Sequence, residues 1–130
     1  MNEDIVEEIK RDLPDILSGD GEKLIESATK LGKHLSRKLS TSQIRNIYEE
    51  VKKMREFDRN RLNLLRAKLA YTAGRHGDRD RKTGRLVGPI VDLQEVLDEA
   101  IKKVDEKTFG NFQNFFEAIL AYHRYYGGKE

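Results

Sequence analysis

Apolar residues recur every three or four positions along most of this chain, the spacing that lines them up on one face of an α-helix. Ile5, Ile9, Leu13, Ile16 and Leu17, with Val6 alongside, predict a first helix, in which Pro14 should impose a kink or start a new turn. Ser18-Gly19-Asp20-Gly21 breaks that pattern. A second helix follows, with Leu24, Ile25, Ala28, Leu31, Leu35 and Leu39 on one side. Ser40 and Gln43 match a capping box, and Thr41 can cap equally well; a third helix over 42–57 then turns Ile44, Ile47, Val51 and Met54 inward. Leu62, Leu65, Leu69 and Ala73 predict a fourth over 60–74, stopping at Gly74. Asp92 is placed to cap a fifth that buries Leu93, Val96, Leu97, Ile101 and Val104. Thr108 opens an aromatic-rich last helix with Phe112, Phe115, Phe116, Ile119 and Leu120, which Gly127-Gly128 ends.

Between the fourth and fifth helices lies HGDRDRKTGRLVGP, residues 76–89, which reads as an exposed basic loop long enough to be functional or disordered. Only Leu86 to Val91 hints at period two. The fold class is therefore all-α, a single compact bundle of five to six helices over 1–130, with 1–20 as an accessory N-terminal helix. No repeat of 20–50 residues is visible.

Composition narrows the class. In 130 residues the charged fraction is 37%, well above the usual quarter or so, yet the net charge is only +2. No apolar run approaches a membrane span. The acidic start MNEDIVEEIK is unlike a secretory signal, so a cytoplasmic location is expected. With no cysteine there is neither a disulfide framework nor a thiolate metal site. The charge is also segregated. Residues 1–22 carry a net −6, residues 23–88 a net +11 and residues 89–130 a net −3. A basic middle between acidic ends suits a polyanion-facing surface, or a helical surface laced with ion pairs.

The search for catalysis is negative. His34, His76 and His123 lie far apart without ligand spacing, and no nucleophile elbow, Walker loop or GxGxxG occurs. His123 borders an apolar face, as a satisfied structural histidine does. Asp78 and Asp80 form a DxD-like pair crowded by Arg75, Arg79 and Arg81, which disfavours a metal there. The chain is expected to be no enzyme and to need neither cofactor nor metal.

The positive signal is on the third helix. At 100° per residue, Arg45, Lys52, Arg55 and Arg59 fall within an arc of about 80° beside the apolar face, with Tyr48 between the two and its hydroxyl expected in water. Such a stripe can track a phosphate backbone, and Arg75, His76, Arg79, Arg81, Lys82 and Arg85 would extend it. Glu49 and Glu56 flank the stripe and neutralise part of it. Aromatic residues are not interleaved with these cations, and no RRM, KH, helix-turn-helix or zinc-finger pattern is present. Salt-sensitive backbone contact is the mode this composition supports.

Three stretches, TSQIRNIYEEVKKM (41–54), LRAKLAYTAGR (65–75) and NFFEAILAYHRYYGG (114–128), together resemble the small, all-helical subunit of type III-A CRISPR–Cas effector complexes, the Csm complexes. In order and spacing the resemblance covers about 35–128, and no single motif is diagnostic. It implies a non-catalytic subunit that stacks along the complex beside the backbone subunits. There it contacts CRISPR RNA and target RNA, in antiviral defence. Within the matching segments it implies Arg45, Lys52, Arg55 and Arg75 as RNA contacts, and less directly Arg59 and Arg124. Arg79, Arg81, Lys82 and Arg85 rest on charge alone. Self-association as a homodimer or filament is also expected, with the acidic ends of one copy against the basic middle of another. The alternative is a helical adaptor that binds only protein. A DNA-binding regulator is disfavoured, since no recognition helix is evident.

Overall fold

The computed structural model describes residues 2–128. Among them are six helices: α1 (Asn2–Ser18), α2 (Gly21–Leu35), α3 (Thr41–Lys52), α4 (Arg59–His76), α5 (Pro89–Lys103) and α6 (Phe109–Tyr125). Strands β1 (Asp78–Arg79) and β2 (Leu86–Val87) form a small antiparallel ribbon with Asp78 opposite Val87 and Arg79 opposite Leu86. The all-α fold expected from the periodicity is the fold observed.

Helix α6 is the centre. It packs on α1, α2 and α3, and buries Phe109, Phe112, Phe115, Phe116 and Ile119. Its rings stack or meet edge to face: Phe109–Phe112 at 6.3 Å, Phe112–Phe116 at 6.5 Å and Tyr48–Phe116 at 5.3 Å. Burying each such ring contributes roughly 1.5–3 kcal/mol. The closest approach is to α2, where a Cβ added at Gly32 would sit 2.7 Å from the His123 backbone nitrogen. Helix α1 lays Val6, Ile9, Leu13, Ile16 and Leu17 into the same core.

Several boundaries follow local chemistry. Asp20 caps α2 by accepting from the Lys23 amide at 3.1 Å, and Ser40 with Gln43 makes the reciprocal capping box of α3. Helix α1 includes Pro14 and runs to Ser18, whose hydroxyl donates to the Pro14 carbonyl at 2.7 Å. Other boundaries depart from expectation. Helix α3 ends at Lys52 and not near 57, because the Gln113 side chain of α6 donates to the Val51 and Met54 carbonyls at 3.3 and 3.0 Å. Those bonds satisfy the helix end, and Asp58 then caps α4.

Helix α4 passes through Gly74, which points outward, and stops at Gly77. There a Cβ would lie 2.6 Å from the Ala73 carbonyl oxygen, so the chain needs glycine to turn so tightly. Residues 78–87 form a hairpin. The Asp80 carboxylate accepts from the Lys82 and Thr83 amides, and Gly84 takes a positive φ of 73°. That is a turn-building role for Asp80. Asp92 does not cap α5. Gly88 occupies that position with φ 125° and Pro89 opens the helix, while Asp92 accepts from His34 Nε2 at 2.8 Å and ties α5 to α2.

Candidate nucleic-acid interface

Helix α3 turns Ile44, Ile47, Tyr48 and Val51 inward and leaves Arg45 and Lys52 exposed. It runs antiparallel to α6, since Thr41 meets His123, Tyr48 meets Glu117 and Val51 meets Gln113. Arg45 and Lys52 therefore line the α6 side of α3. The Tyr48 hydroxyl is not in water; it donates to Glu117 Oε1 at 2.9 Å. Burial first, then that bond to a carboxylate, pushes its phenol up to about 12.

The expected single stripe does not form, because the helix ends before two of its members. Arg55 stands exposed in the α3–α4 connection. Arg59 opens α4 and is half-buried. Its guanidinium donates to the Ile101 and Val104 carbonyls at 2.8 and 2.6 Å and lies 5.1 Å from the Phe57 ring centroid. It closes the carbonyl end of α5. Arg124, at the end of α6, donates to the Gly128 carbonyl at 2.7 Å.

Arg75 lies on the other flank of α3, across the groove that separates it from α4. That groove, about 430 Å³, is lined among others by Gln43, Asn46, Lys53, Lys68, Tyr71, Arg75 and His76. Glu49 and Glu50 share it. Lys53 and Lys68 escaped the sequence reading, although Arg61, Lys68 and Arg75 recur every seven residues, a basic row on one helix face. Beyond the end of α4, the hairpin exposes Arg79, Arg81, Lys82 and Arg85, with Arg79 bonded back to the Gly84 carbonyl at 3.2 Å. The structure thus puts Arg75 in the last turn of α4 with the basic hairpin following, and sets Arg45 and Lys52 on the other flank of α3. Arg85 lies beside grooves that Asp92 and Glu95 also line.

Several carboxylates of the acidic segments are paired within the chain. Lys30 of α2 meets Glu8 of α1 at 2.5 Å, and Lys23 meets Asp15 at 2.6 Å. These hydrogen-bonded contacts lower the Glu8 pKa and raise those of Lys30 and Lys23. Arg66 of α4 binds Asp98 of α5 at 2.7 Å, and Lys10 reaches Glu95 at 3.9 Å. By contrast, Lys52, Arg55, Lys68, Arg75, Arg81, Lys82 and Arg85 make no ion pair among the described residues.

His123 is fully buried, with Nε2 donating to the Leu39 carbonyl at 2.8 Å and Nδ1 3.5 Å from the Thr41 hydroxyl. Burial lowers its pKa, so the neutral ring is favoured. Among the described residues no group of three His, Asp or Glu side chains is placed to hold a metal ion, and no helix is long and apolar enough to cross a membrane.

No solved structure matches the chain. A curated relative from Streptococcus thermophilus, "CRISPR system Cms protein Csm2", is 33% identical over 102 residues, covering 71% of this chain and 76% of the relative. The family profile described as Csm2 Type III-A matches residues 18–129, which takes in α2 to α6 and both flanks of α3. That profile match over most of the chain, with the identity to the curated relative, places the chain in the type III-A Csm2 family.

Proposed function

We propose that this protein is the non-catalytic small subunit of a cytoplasmic type III-A effector complex, where copies stack and contact the backbone of guide and target RNA. Membership of the Csm2 family supports a place among the other subunits of such a complex. The observation that carries the RNA contact is the partition of charge. Glu8 and Asp15 of α1 are held by Lys30 and Lys23 of α2, and Asp98 of α5 by Arg66 of α4, while Arg75 in the last turn of α4 and Arg81, Lys82 and Arg85 of the hairpin make no ion pair among the described residues. Lys52 and Arg55 form a second exposed set, and Arg45 stands beside Lys52 on α3. Arg59 serves chiefly to close α5, and Arg124 the end of α6.

The test is titration of guide-paired RNA against three proteins at two salt concentrations: wild type, Arg81→Glu with Lys82→Glu, and Arg45→Glu with Lys52→Glu. Removing one phosphate-binding cation should flatten the log–log salt dependence by roughly 0.7–0.9. If both reversals bind like wild type, in the free chain and in the assembled complex, the RNA reading is wrong. The adaptor reading then takes over. It has its own observation, the exposed apolar side chains Leu64 and Tyr71 of α4, which line grooves beside α3.

A further inference from the structure

The C-terminal end of α6 presents an aromatic and basic corner that the linear sequence hides. His123 joins three elements there, through the Leu39 carbonyl after α2 and the Thr41 hydroxyl at the start of α3. The helix ends in a Schellman motif, in which the Gly128 amide donates to the His123 carbonyl at 2.9 Å and the Gly127 amide to the Arg124 carbonyl at 3.1 Å. Gly127 has φ 103°, and a Cβ at Gly128 would run into the His123 ring. Both glycines are required, and the backbone that carries Tyr125 and Tyr126 is held rigidly.

What this rigid end displays is unusual for a water-facing surface. Tyr125 is 75% exposed, yet its ring is held edge to face by Tyr126 at 5.0 Å and Tyr122 at 6.3 Å. Lys33 lies over the Tyr126 ring at 5.5 Å. Beside it runs a cleft of about 570 Å³ lined, among the described residues, by Ser36, Arg37, Leu39, Ser40, Tyr126 and Gly127, none of them a carboxylate. Arg37 and Lys38 are exposed and make no ion pair among the described residues. The negative ends of α2 and α6 converge here and favour cations, but they do not account for an exposed tyrosine.

We propose that this corner binds a short run of unpaired nucleotides of single-stranded nucleic acid, with Tyr125 and Tyr126 stacking bases and Lys33, Arg37 and Lys38 holding phosphates. Aromatic rings interleaved with cations are what an unpaired strand requires, since every base offers a face and every linkage a charge. A protein partner fits less well. The other large exposed apolar side chains, Ile25, Leu64, Tyr71 and Val87, are not among the residues of this cleft, which leaves Tyr125 and Tyr126 without an apolar surround. The cleft shares no lining residue with the α3–α4 groove that holds Arg75, and the proposal does not rest on that groove or the hairpin binding a duplex.

The test uses the full chain with labelled oligouridylate, oligodeoxythymidylate and a perfectly paired RNA duplex, read by fluorescence anisotropy. Tyr125→Ala should weaken binding of the single strands about tenfold and leave the duplex unchanged, whereas Tyr125→Trp should retain single-strand affinity. Because Tyr125 is so exposed, its loss should not unfold the protein. Arg37→Glu with Lys38→Glu should weaken the single strands and flatten their salt dependence. An oligonucleotide carrying 5-iodouridine should crosslink at Tyr125 or Tyr126. Equal affinity for the two strands assigns the site to either sugar, and a preference for oligouridylate assigns it to RNA.

The hairpin reversal Arg81→Glu with Lys82→Glu separates the two readings, since it should affect the duplex and spare this corner. Unchanged single-strand affinity in Tyr125→Ala overturns the proposal. So does loss of self-association or complex assembly in that variant with strand binding intact, which would make the corner a protein interface.

Discussion

The close packing of α2 on α6 supports a sharp prediction at Gly32. Replacing it with alanine adds one methyl group that would lie 2.7 Å from the His123 nitrogen, 2.8 Å from Tyr122 Cβ and 2.9 Å from the Tyr122 carbonyl carbon. These neighbours are backbone and Cβ atoms, which cannot swing aside as the tip of a long side chain can. The helices must separate, and Ala28, Leu31 and Leu35 then move away from the α6 rings. Overpacking of this kind costs roughly 1–3 kcal/mol. Alanine also favours a helix over glycine by about 0.8–1 kcal/mol, which offsets part of the penalty.

Gly74→Ala supplies the control. It lies within α4 with nothing inside 4 Å of the added Cβ, so it should show the propensity gain alone. The propensity contributions cancel between the two variants. Their difference in unfolding free energy, from urea melts followed by circular dichroism, should therefore be about 1–3 kcal/mol in favour of Gly74→Ala. If Gly32→Ala proves as stable as Gly74→Ala, the close packing of α2 on α6 is refuted.

Other perturbations have equally definite outcomes. Arg59→Ala removes two charge-assisted bonds to the end of α5 and should cost about 1.5–3 kcal/mol in the same melts; a change under about 0.5 kcal/mol would deny the capping role. His123 has its pKa lowered by burial, so the unfolded chain takes up the proton more readily than the native one. Stability should be full above the ordinary value of 6.5 and fall as pH drops below it, and His123→Gln should flatten that slope in urea midpoints measured between pH 7.5 and 5.5. Tyr48→Phe should remove a phenol that ionises near 12 from an ultraviolet pH titration. It should also cost about 0.5–1.5 kcal/mol, because the bond to Glu117 is gone.

Helix positions and faces were legible because a 3.6-residue period belongs to one segment of chain and needs no partner. The rings and aliphatic residues of α6, the Ser40–Gln43 box and the Gly127-Gly128 stop are local statements of this kind. Where two chemistries competed for one residue, local reading failed. Asp92 had both capping and pairing open to it, and His34, 58 residues away, decided for pairing. Gly74 has the residue type of a helix stop, but only the crowding at Gly77 shows where glycine is needed.

The candidate interface divides in the same way. The sequence by itself determined that the middle of the chain is basic, that the ends are acidic and that the helices are amphipathic, since composition and period survive any fold. Tertiary structure decided which charges remain available. Lys23, Lys30 and Arg66 are bound to the carboxylates of α1 and α5, and Arg59 to backbone carbonyls, because packing brings those groups within reach. It also ended α3 at Lys52 through Gln113 of α6, which split one expected stripe into separate surfaces. Finally, it set Tyr126 beside Lys33, far apart in the chain, because α2 and α6 pack closely enough at Gly32 to bring their ends together.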